Sequence, residues 1–201
     1  MKSMMMRNIL FLIFLCLGLA GCQKSSTGTD ETASQLTTEG WAAYAARNYA
    51  LAVTKFADAT NQDATFSDAY NGLGWSYAKQ DKPQSAISSF TTGLTRSPNN
   101  PEMNAGLAFA YNAEKDYAQS ITAGLAVLGA NASWQFSRDT SISYTDIHLL
   151  LAEDYFSQPS PDYTQSLSEV RIVDPSFNAD VTTVAGQTAL GHEIEQLRSQ
   201  V

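Results

Sequence analysis

The chain has 201 residues and a formal net charge of −8, with 12 basic and 20 acidic side chains. Nucleic-acid binding depends on Lys and Arg side chains that release counterions from phosphates, so this acidic balance argues against a nucleic-acid partner. The chain has only two cysteines, too few for a disulfide framework, and its two histidines, His148 and His192, lie far apart in the sequence, which argues against a zinc site.

Residues 1–21 are predicted to be an export signal. Lys2 and Arg7 give a positively charged start, and residues 9–19 form an apolar run. This run is shorter than the ~20 residues that a membrane-spanning helix needs. The order of the two regions therefore favours a secretory signal over a transmembrane anchor.

The apolar run ends in LAGC, residues 19–22, which resembles the lipobox of bacterial lipoproteins. The resemblance implies cleavage before Cys22 and acylation of that cysteine, so that acyl chains hold the protein on a membrane. Gln23, rather than Asp, follows the cysteine; in enterobacteria-like sorting this implies the outer membrane, facing the periplasm. The alternatives are an ordinary signal peptide whose cleavage site contains a cysteine, or a soluble protein with an apolar tail.

Cleavage before Cys22 would have two further effects. It would remove Lys2, Arg7 and Cys16, which takes the net charge from −8 to −10 and leaves Cys22 as the single cysteine. No internal disulfide could then form. Residues 22–35 are rich in Ser and Thr and lack aromatic residues, so they are predicted to be a flexible tether.

A 34-residue period begins after the tether. In its clearest copy, Leu73, Gly74 and Tyr77 share one helix face, and Ala86 and Phe90 share a face of the next helix. A shift of 34 residues upstream or downstream finds similar residues at Gly40, Trp41, Ala52, Phe56, Gly106, Leu107, Tyr111 and Ile121.

This period and its pattern of small and aromatic residues resemble the tetratricopeptide repeat family. The resemblance implies an all-α superhelix, with helix pairs near residues 33–66, 67–100 and 101–134. Helical spacing also predicts a degenerate pair over 144–175 and a terminal helix over 178–201, which completes a domain of residues 36–201.

Two parts of this domain depart from a regular array. The third repeat has Ser120, Gly124 and Ala132 where the motif prefers other residues, which indicates looser or different packing. The terminal helix is expected to cap the array with one apolar face, although a free amphipathic helix that awaits a partner is an alternative. The residues expected on that face are Val181, Val184, Ile194 and Leu197.

No catalytic constellation stands out in the sequence. The chain lacks the HExxH, GxSxG and GxxxxGK[ST] patterns. Glu153 and Asp154 are adjacent and are expected to be exposed carboxylates, and His148 is expected to pack at the edge of a helix face. We therefore predict a protein that is not an enzyme, with no metal and no cofactor.

Trp41, Trp75 and Phe109 recur at the 34-residue spacing. The resemblance implies that such first-helix positions line a concave groove that holds partner peptides. The residues expected to bind a partner are Trp41, Tyr44, Asn71, Trp75, Lys79, Phe109 and Asn112. The alternative is that the rings stack between successive repeats as part of the core.

These features predict a lipid-anchored scaffold that binds another envelope protein or peptide through its concave groove. Similar lipoproteins serve outer-membrane barrel assembly, pilus secretin assembly and the control of cell-wall hydrolases. One alternative is a structural subunit that self-associates as a homo-oligomer. A less favoured alternative is a peptidoglycan-fragment binder in which Trp41 and Trp75 stack on sugar rings.

Overall fold

The computed structural model describes residues 31–200. Within these residues the chain forms nine α-helices and one isolated bridge, between Gln135 and Ser143. The prediction of an all-α superhelix is confirmed. The expected export signal, Cys22 and most of the tether lie outside the described residues. The helices are α1 (Ala33–Ala45), α2 (Tyr49–Gln62), α3 (Ser67–Ala78), α4 (Pro83–Leu94), α5 (Pro101–Ala113), α6 (Tyr117–Ala130), α7 (Tyr144–Ser157), α8 (Tyr163–Val173) and α9 (Val184–Arg198).

The helices are arranged in two layers. Helices α1, α3, α5 and α7 each contact the next member of this series, whereas α2, α4, α6 and α8 contact only helices of the other layer and, for α8, helix α9. Because the first helices of the pairs approach one another more closely than the second helices do, their layer is the inner, concave side of the superhelix.

The turn inside each of the first three pairs has the same backbone geometry. Arg47, Asp81 and Lys115 are spaced 34 residues apart, and they have φ values of 58°, 57° and 62°. Their N–H groups donate to the carbonyl three residues earlier at 2.8 to 3.0 Å, which ends the first helix. The three regular repeats therefore share their turns as well as their helices.

A phenylalanine on each of the second helices α2 and α4 holds two consecutive pairs together. Phe56 is fully buried between Gly40 of its own pair and Gly72 of the next pair. A Cβ at Gly40 would lie 2.6 Å from the Phe56 ring, and one at Gly72 would lie 2.1 Å from it, so only glycine permits this approach. Phe90 is held in the same way one repeat later, by Gly74 and Gly106.

The third repeat packs differently, as its sequence indicates. Gly124 stands where the earlier repeats have phenylalanine, and Leu151 of α7 fills the space, 3.0 Å from the position of a Cβ. Ser120 is fully buried, and its hydroxyl donates to the Ala108 carbonyl at 2.8 Å. A leucine from the following pair thus replaces the aromatic ring that the third repeat lacks.

Helix α9 covers the end of the array. Leu190 and Ile194 are buried in a small cluster that includes Ala152 of α7 and Val170 of α8. Val181 and Leu197 pack against this cluster as partly buried residues, as expected. The expectation for Val184 is wrong: this first residue of α9 is 78% exposed, and Leu190 lies on the buried face.

Gly72→Ala tests the contact between phenylalanine and glycine. The new Cβ would overlap the buried Phe56 ring, so we expect the free energy of unfolding to fall by about 1–3 kcal/mol despite the better helix propensity of alanine. Gly129→Ala is the matched control, because Gly129 lies in α6 with no atom within 4 Å of the new Cβ. The control should gain up to ~1 kcal/mol. Urea unfolding followed by circular dichroism measures both, and equal midpoints would contradict this account.

Candidate functional site

The residues expected to bind a partner all lie on the inner helix layer. Trp41 and Tyr44 are on α1, Phe109 and Asn112 are on α5, Asn71 and Trp75 are on α3, and Lys79 immediately follows the last residue of α3. We call the surface formed by α1, α3 and α5 on this side the concave face. Asn112 lies apart from the others, because its side chain turns toward α7.

The concave face is covered by a segment of the same chain. Residues 131–143, here called the connector loop, join α6 to α7 and fold back over α1, α3 and α5. The loop closes on itself as a narrow hairpin: the Phe136 N–H donates to the Ile142 carbonyl at 2.9 Å, and the Tyr144 N–H donates to the Trp134 carbonyl at 2.6 Å. Trp134 and Phe136 are the two buried residues of this loop.

Phe136 occupies the centre of the concave face and has no exposed surface. Its ring stacks on Trp75, with centroids 4.2 Å apart and planes inclined by 21°. The edges of Trp41 and Tyr44 meet the same ring at centroid distances of 6.2 and 6.3 Å. Trp134 lies behind it at 6.4 Å, so all three tryptophans of the chain belong to one aromatic cluster.

Charged side chains hold the loop at one rim of the face. The Arg138 guanidinium lies over the Trp41 ring, 4.7 Å from the centroid, and 3.8 Å from a carboxylate oxygen of Asp68. Asp68 also accepts a hydrogen bond from the Trp41 indole at 3.0 Å. Asp139 pairs with Lys79 at 3.6 Å. Because these groups are partly exposed, each pair adds only modestly to stability.

A further polar contact lies between the loop and α5. The Ser137 hydroxyl donates to Glu102 Oε1 at 2.6 Å, and the Ser137 N–H donates to the same oxygen at 3.3 Å. The other oxygen of Glu102 accepts from the Asn71 side chain at 2.8 Å. Two consecutive residues of the loop, Ser137 and Arg138, thus contact acidic side chains of the face, and the next residue, Asp139, contacts a basic one.

The loop leaves three polar atoms of the face without a hydrogen-bond partner among the described residues. They are the Tyr44 hydroxyl, Trp75 Nε1 and Asn71 Oδ1, on side chains that are all buried. Burial also raises the pKa of Tyr44 above its ordinary value. Buried polar groups are nearly always paired, so this face has hydrogen-bonding capacity that the loop does not use.

The aromatic rings of the concave face thus line a groove, as in the first alternative, and also form part of the core, as in the second. Trp41, Tyr44 and Trp75 line the face and are buried as core, because the chain itself covers them. Their binding of a partner stays a prediction. Sequence reasoning missed Trp134 and Phe136; their alternation with polar residues inside a polar connector was the one available signal.

Beyond the loop, the inner layer carries a small cavity of about 170 Å³. It is lined by Phe109, Asp146, Leu149, Leu150 and Arg198. Phe109 is half-buried and reaches both the cavity and the aromatic cluster, where it lies 6.3 Å from Trp75. It is thus a predicted partner-binding aromatic residue that the loop leaves partly open.

The carboxyl group of Asp154 is fully buried, so the expectation that it is exposed is wrong. Asn112 donates to its Oδ1 at 2.7 Å and to Glu153 at 3.4 Å. Oδ2 has no hydrogen-bond partner among the described residues, because the Ser120 hydroxyl points to the Ala108 carbonyl. Burial raises the pKa of Asp154 to about 6, and the hydrogen bond from Asn112 offsets this only in part.

His148 packs between α7 and α8. Its Nδ1 lies 2.5 Å from Glu169 of α8, and both side chains are largely buried. Residues 31–200 contain no group of three or more His, Cys, Asp or Glu that could hold a metal. None of the helices in this part is long and apolar enough to cross a membrane.

Asp154→Asn tests the buried carboxyl. Its pKa in the folded chain lies above the ~3.9 of an unfolded aspartate, so between pH 4 and 6 the folded chain keeps a proton that the unfolded chain releases. The free energy of unfolding should therefore fall by on the order of 3 kcal/mol as the pH rises through this window. In Asp154→Asn this contribution should be absent, and at pH 7.5 the variant should be more stable than wild type by about 1–3 kcal/mol.

Urea midpoints at pH 4.5, 6 and 7.5 measure this difference. Glu153→Gln is the control, because it removes the adjacent, partly exposed carboxylate and should keep the slope of the wild type. An unchanged slope in Asp154→Asn would contradict the assignment.

The repeats match a known family. A sequence model of the tetratricopeptide repeat matches residues 37–101 and again residues 71–133. No curated protein matches the chain.

Solved structures share the fold at low sequence identity. The MamA fragment from Desulfovibrio magneticus RS-1 superposes with a TM-score of 0.60 at 15% identity, over 71% of this chain and 74% of that chain. The pilF protein of Pseudomonas aeruginosa gives 0.59 at 16% identity, over 84% of this chain and 67% of that chain. The Sgt2 tetratricopeptide domain of Aspergillus fumigatus gives 0.51 at 15% identity, over 74% and 86%. Residues 37–133 are therefore tetratricopeptide repeats, in a chain whose described part has the all-α superhelical fold that such repeats build.

Proposed function

We propose that the protein is a lipid-anchored, non-catalytic scaffold of the cell envelope that binds a segment of another envelope protein on its concave face. Domains built from tetratricopeptide repeats are generally non-catalytic scaffolds that bind other proteins. The lipid anchor, the envelope partner and the use of the concave face are the parts that this proposal adds.

One observation carries the assignment to the concave face. The face already holds an aromatic-containing segment, residues 131–143 of the chain itself, with Phe136 stacked on Trp75 and Arg138 against Asp68. An aromatic anchor surrounded by charged pairs is the arrangement that hot spots of protein interfaces have. The face thus has the shape and the chemistry to hold a peptide.

The sequence around Cys22 supports the anchor. Acyl chains contribute ~0.8 kcal/mol for each buried CH₂, so two or more chains give stable membrane attachment. The Ser/Thr-rich tether before α1 would span ~20 Å as a random coil, enough to hold the helical domain clear of the lipid head groups. Attachment restricts the protein to partners that lie on or near the same membrane.

Stacking of sugar rings on the tryptophans is less compatible with the concave face. Phe136 covers one face of the Trp75 ring, and the Arg138 guanidinium covers Trp41. A peptidoglycan fragment would have to displace both groups before it could stack. A protein segment with its own aromatic and charged residues can replace them group for group, which favours the scaffold.

Cys22→Ser tests the anchor. Without the thiol that carries the first acyl chain, the protein should move from the membrane fraction to the soluble fraction or accumulate with its signal uncleaved. Cell fractionation and intact mass measure the two outcomes. Cys16→Ser is the matched control, because the same change inside the signal should leave attachment unaffected. Membrane attachment of Cys22→Ser with normal processing would contradict the anchor.

Photocrosslinking in cells tests the concave face. A photoreactive phenylalanine at Phe109, half-buried on the inner layer, should capture one dominant envelope protein, because this ring borders both the cavity and the aromatic cluster. The control is the same residue at Leu51, which is 44% exposed on α2 of the outer layer. The same proteins captured from both positions would contradict use of the concave face, and crosslinks between copies alone would favour a self-associating subunit.

A further inference from the structure

We propose that the connector loop is a built-in competitor for the concave face. The partner segment that replaces it is an extended peptide in which an aromatic residue is followed by a polar, a basic and an acidic residue. This inference deepens the proposed function and rests on it for the location of the partner. It adds the chemistry of the partner segment and the way in which access to the face is controlled.

The aromatic position follows from the contacts of Phe136. Its ring is enclosed by Trp75 on one face and by the edges of Trp41 and Tyr44. A flat ring fits this space, and its stacking at 4.2 Å on Trp75 favours an aromatic residue over an aliphatic one. A partner segment must therefore place an aromatic side chain here.

The charge pattern follows from the rim of the face. Asp68 and Glu102 are acidic and Lys79 is basic, and the loop meets them with Arg138, Ser137 and Asp139 respectively. The net charge of the chain is −8, so a basic residue in the partner segment would also gain from the overall field. A partner segment that makes the same contacts must therefore have a polar, a basic and an acidic residue, in that order, after its aromatic residue.

The reason that the loop can be displaced is its hydrogen bonding. Its backbone groups bond mostly within the hairpin, as from Phe136 N–H to the Ile142 carbonyl and from Asp139 N–H to the Phe136 carbonyl. The three unused polar atoms of the face, on Tyr44, Trp75 and Asn71, therefore have no backbone group of the loop to bond. An extended peptide has free N–H and C=O groups along its length and can pair with them, so it gains bonds that the hairpin cannot make.

The loop has an advantage over a free peptide, because it is covalently attached next to the face. Because α6 and α7 hold both of its ends, it competes with a free peptide at an effective concentration on the order of millimolar. A partner must therefore bind tightly or be concentrated locally. Shared attachment to one membrane supplies that local concentration, which ties the displacement of the loop to the proposed anchor.

Displacement is tested on the full-length chain in detergent, with fluorescently labelled synthetic peptides as probes. One peptide has the sequence of residues 131–143, and a second has alanine in place of Phe136. Wild type should bind the first peptide weakly, since its own loop occupies the face. Phe136→Ala should bind it at least about tenfold more tightly, because the competing anchor is lost. The alanine peptide should not bind to either chain.

The matched control is Phe177→Ala, which removes an aromatic ring from the separate cluster beside α9. This variant should bind the peptide as weakly as wild type. The three tryptophans all lie in the aromatic cluster, so their emission reports on the loop directly. Phe136→Ala should shift the emission to longer wavelength, and the first peptide should reverse the shift.

Arg138→Glu gives a second test. The Arg138 side chain is 43% exposed, so its replacement should leave the fold of the chain intact. The new carboxylate repels Asp68 and weakens the loop, so this chain should also bind the first peptide more tightly than wild type does. A peptide that carries the same Arg-to-Glu change should not bind. Equal affinity of the two peptides would overturn the charge pattern.

Two results would overturn the proposal as a whole. One is a folded Phe136→Ala or Arg138→Glu chain that binds the peptide no better than wild type does, which would make the loop a permanent part of the core. The other is a dimer of wild type that exchanges its loops, detected by light scattering, which would make a second copy the occupant. Crosslinks from Phe109 without peptide binding would leave the scaffold function standing and remove only this inference.

Discussion

The insertion of one phenylalanine between two glycines is the contact on which the architecture depends. Phe56 brings α1 and α3 together through Gly40 and Gly72, and the next repeat uses the same arrangement. Glycines allow the first helices to approach more closely than side chains would permit, so the inner layer is shorter than the outer layer and the array curves. The curvature then places Trp41 and Trp75 where a single ring can touch both.

The connector loop covers the apolar surface that this curvature creates. A concave face with several aromatic rings would be a contiguous apolar surface, and such surfaces promote aggregation when they are left open. Burying Trp134 and Phe136 against the face removes that surface from water without a second chain. The loop follows α6, the helix in which Gly124 interrupts the series of phenylalanines, so the irregular third repeat leads directly into the segment that covers the face.

Sequence reasoning predicted the array but not its covering. Helical periodicity and the 34-residue spacing are local properties, so they placed the helices, the buried glycines and the inner-layer aromatics. Phe136 has no such regularity, because its burial depends on residues about 60 and 95 positions earlier, Trp75 and Trp41. Asp154 was misjudged for a related reason: only the assembled junction of α5, α6 and α7 encloses it.

The repeats are interchangeable in a way that the connector loop is not. Gly106 occupies the position in its repeat that Gly72 occupies in the preceding one, so removing a whole unit would present Phe56 with an equivalent glycine. The array could in principle lengthen or shorten by complete units. The loop instead reaches α1, α3 and α5 at once, through Trp41, Trp75 and Glu102. The loop therefore fits this number of regular repeats, and duplication or loss of a unit would break that fit even though the contact between phenylalanine and glycine would be kept.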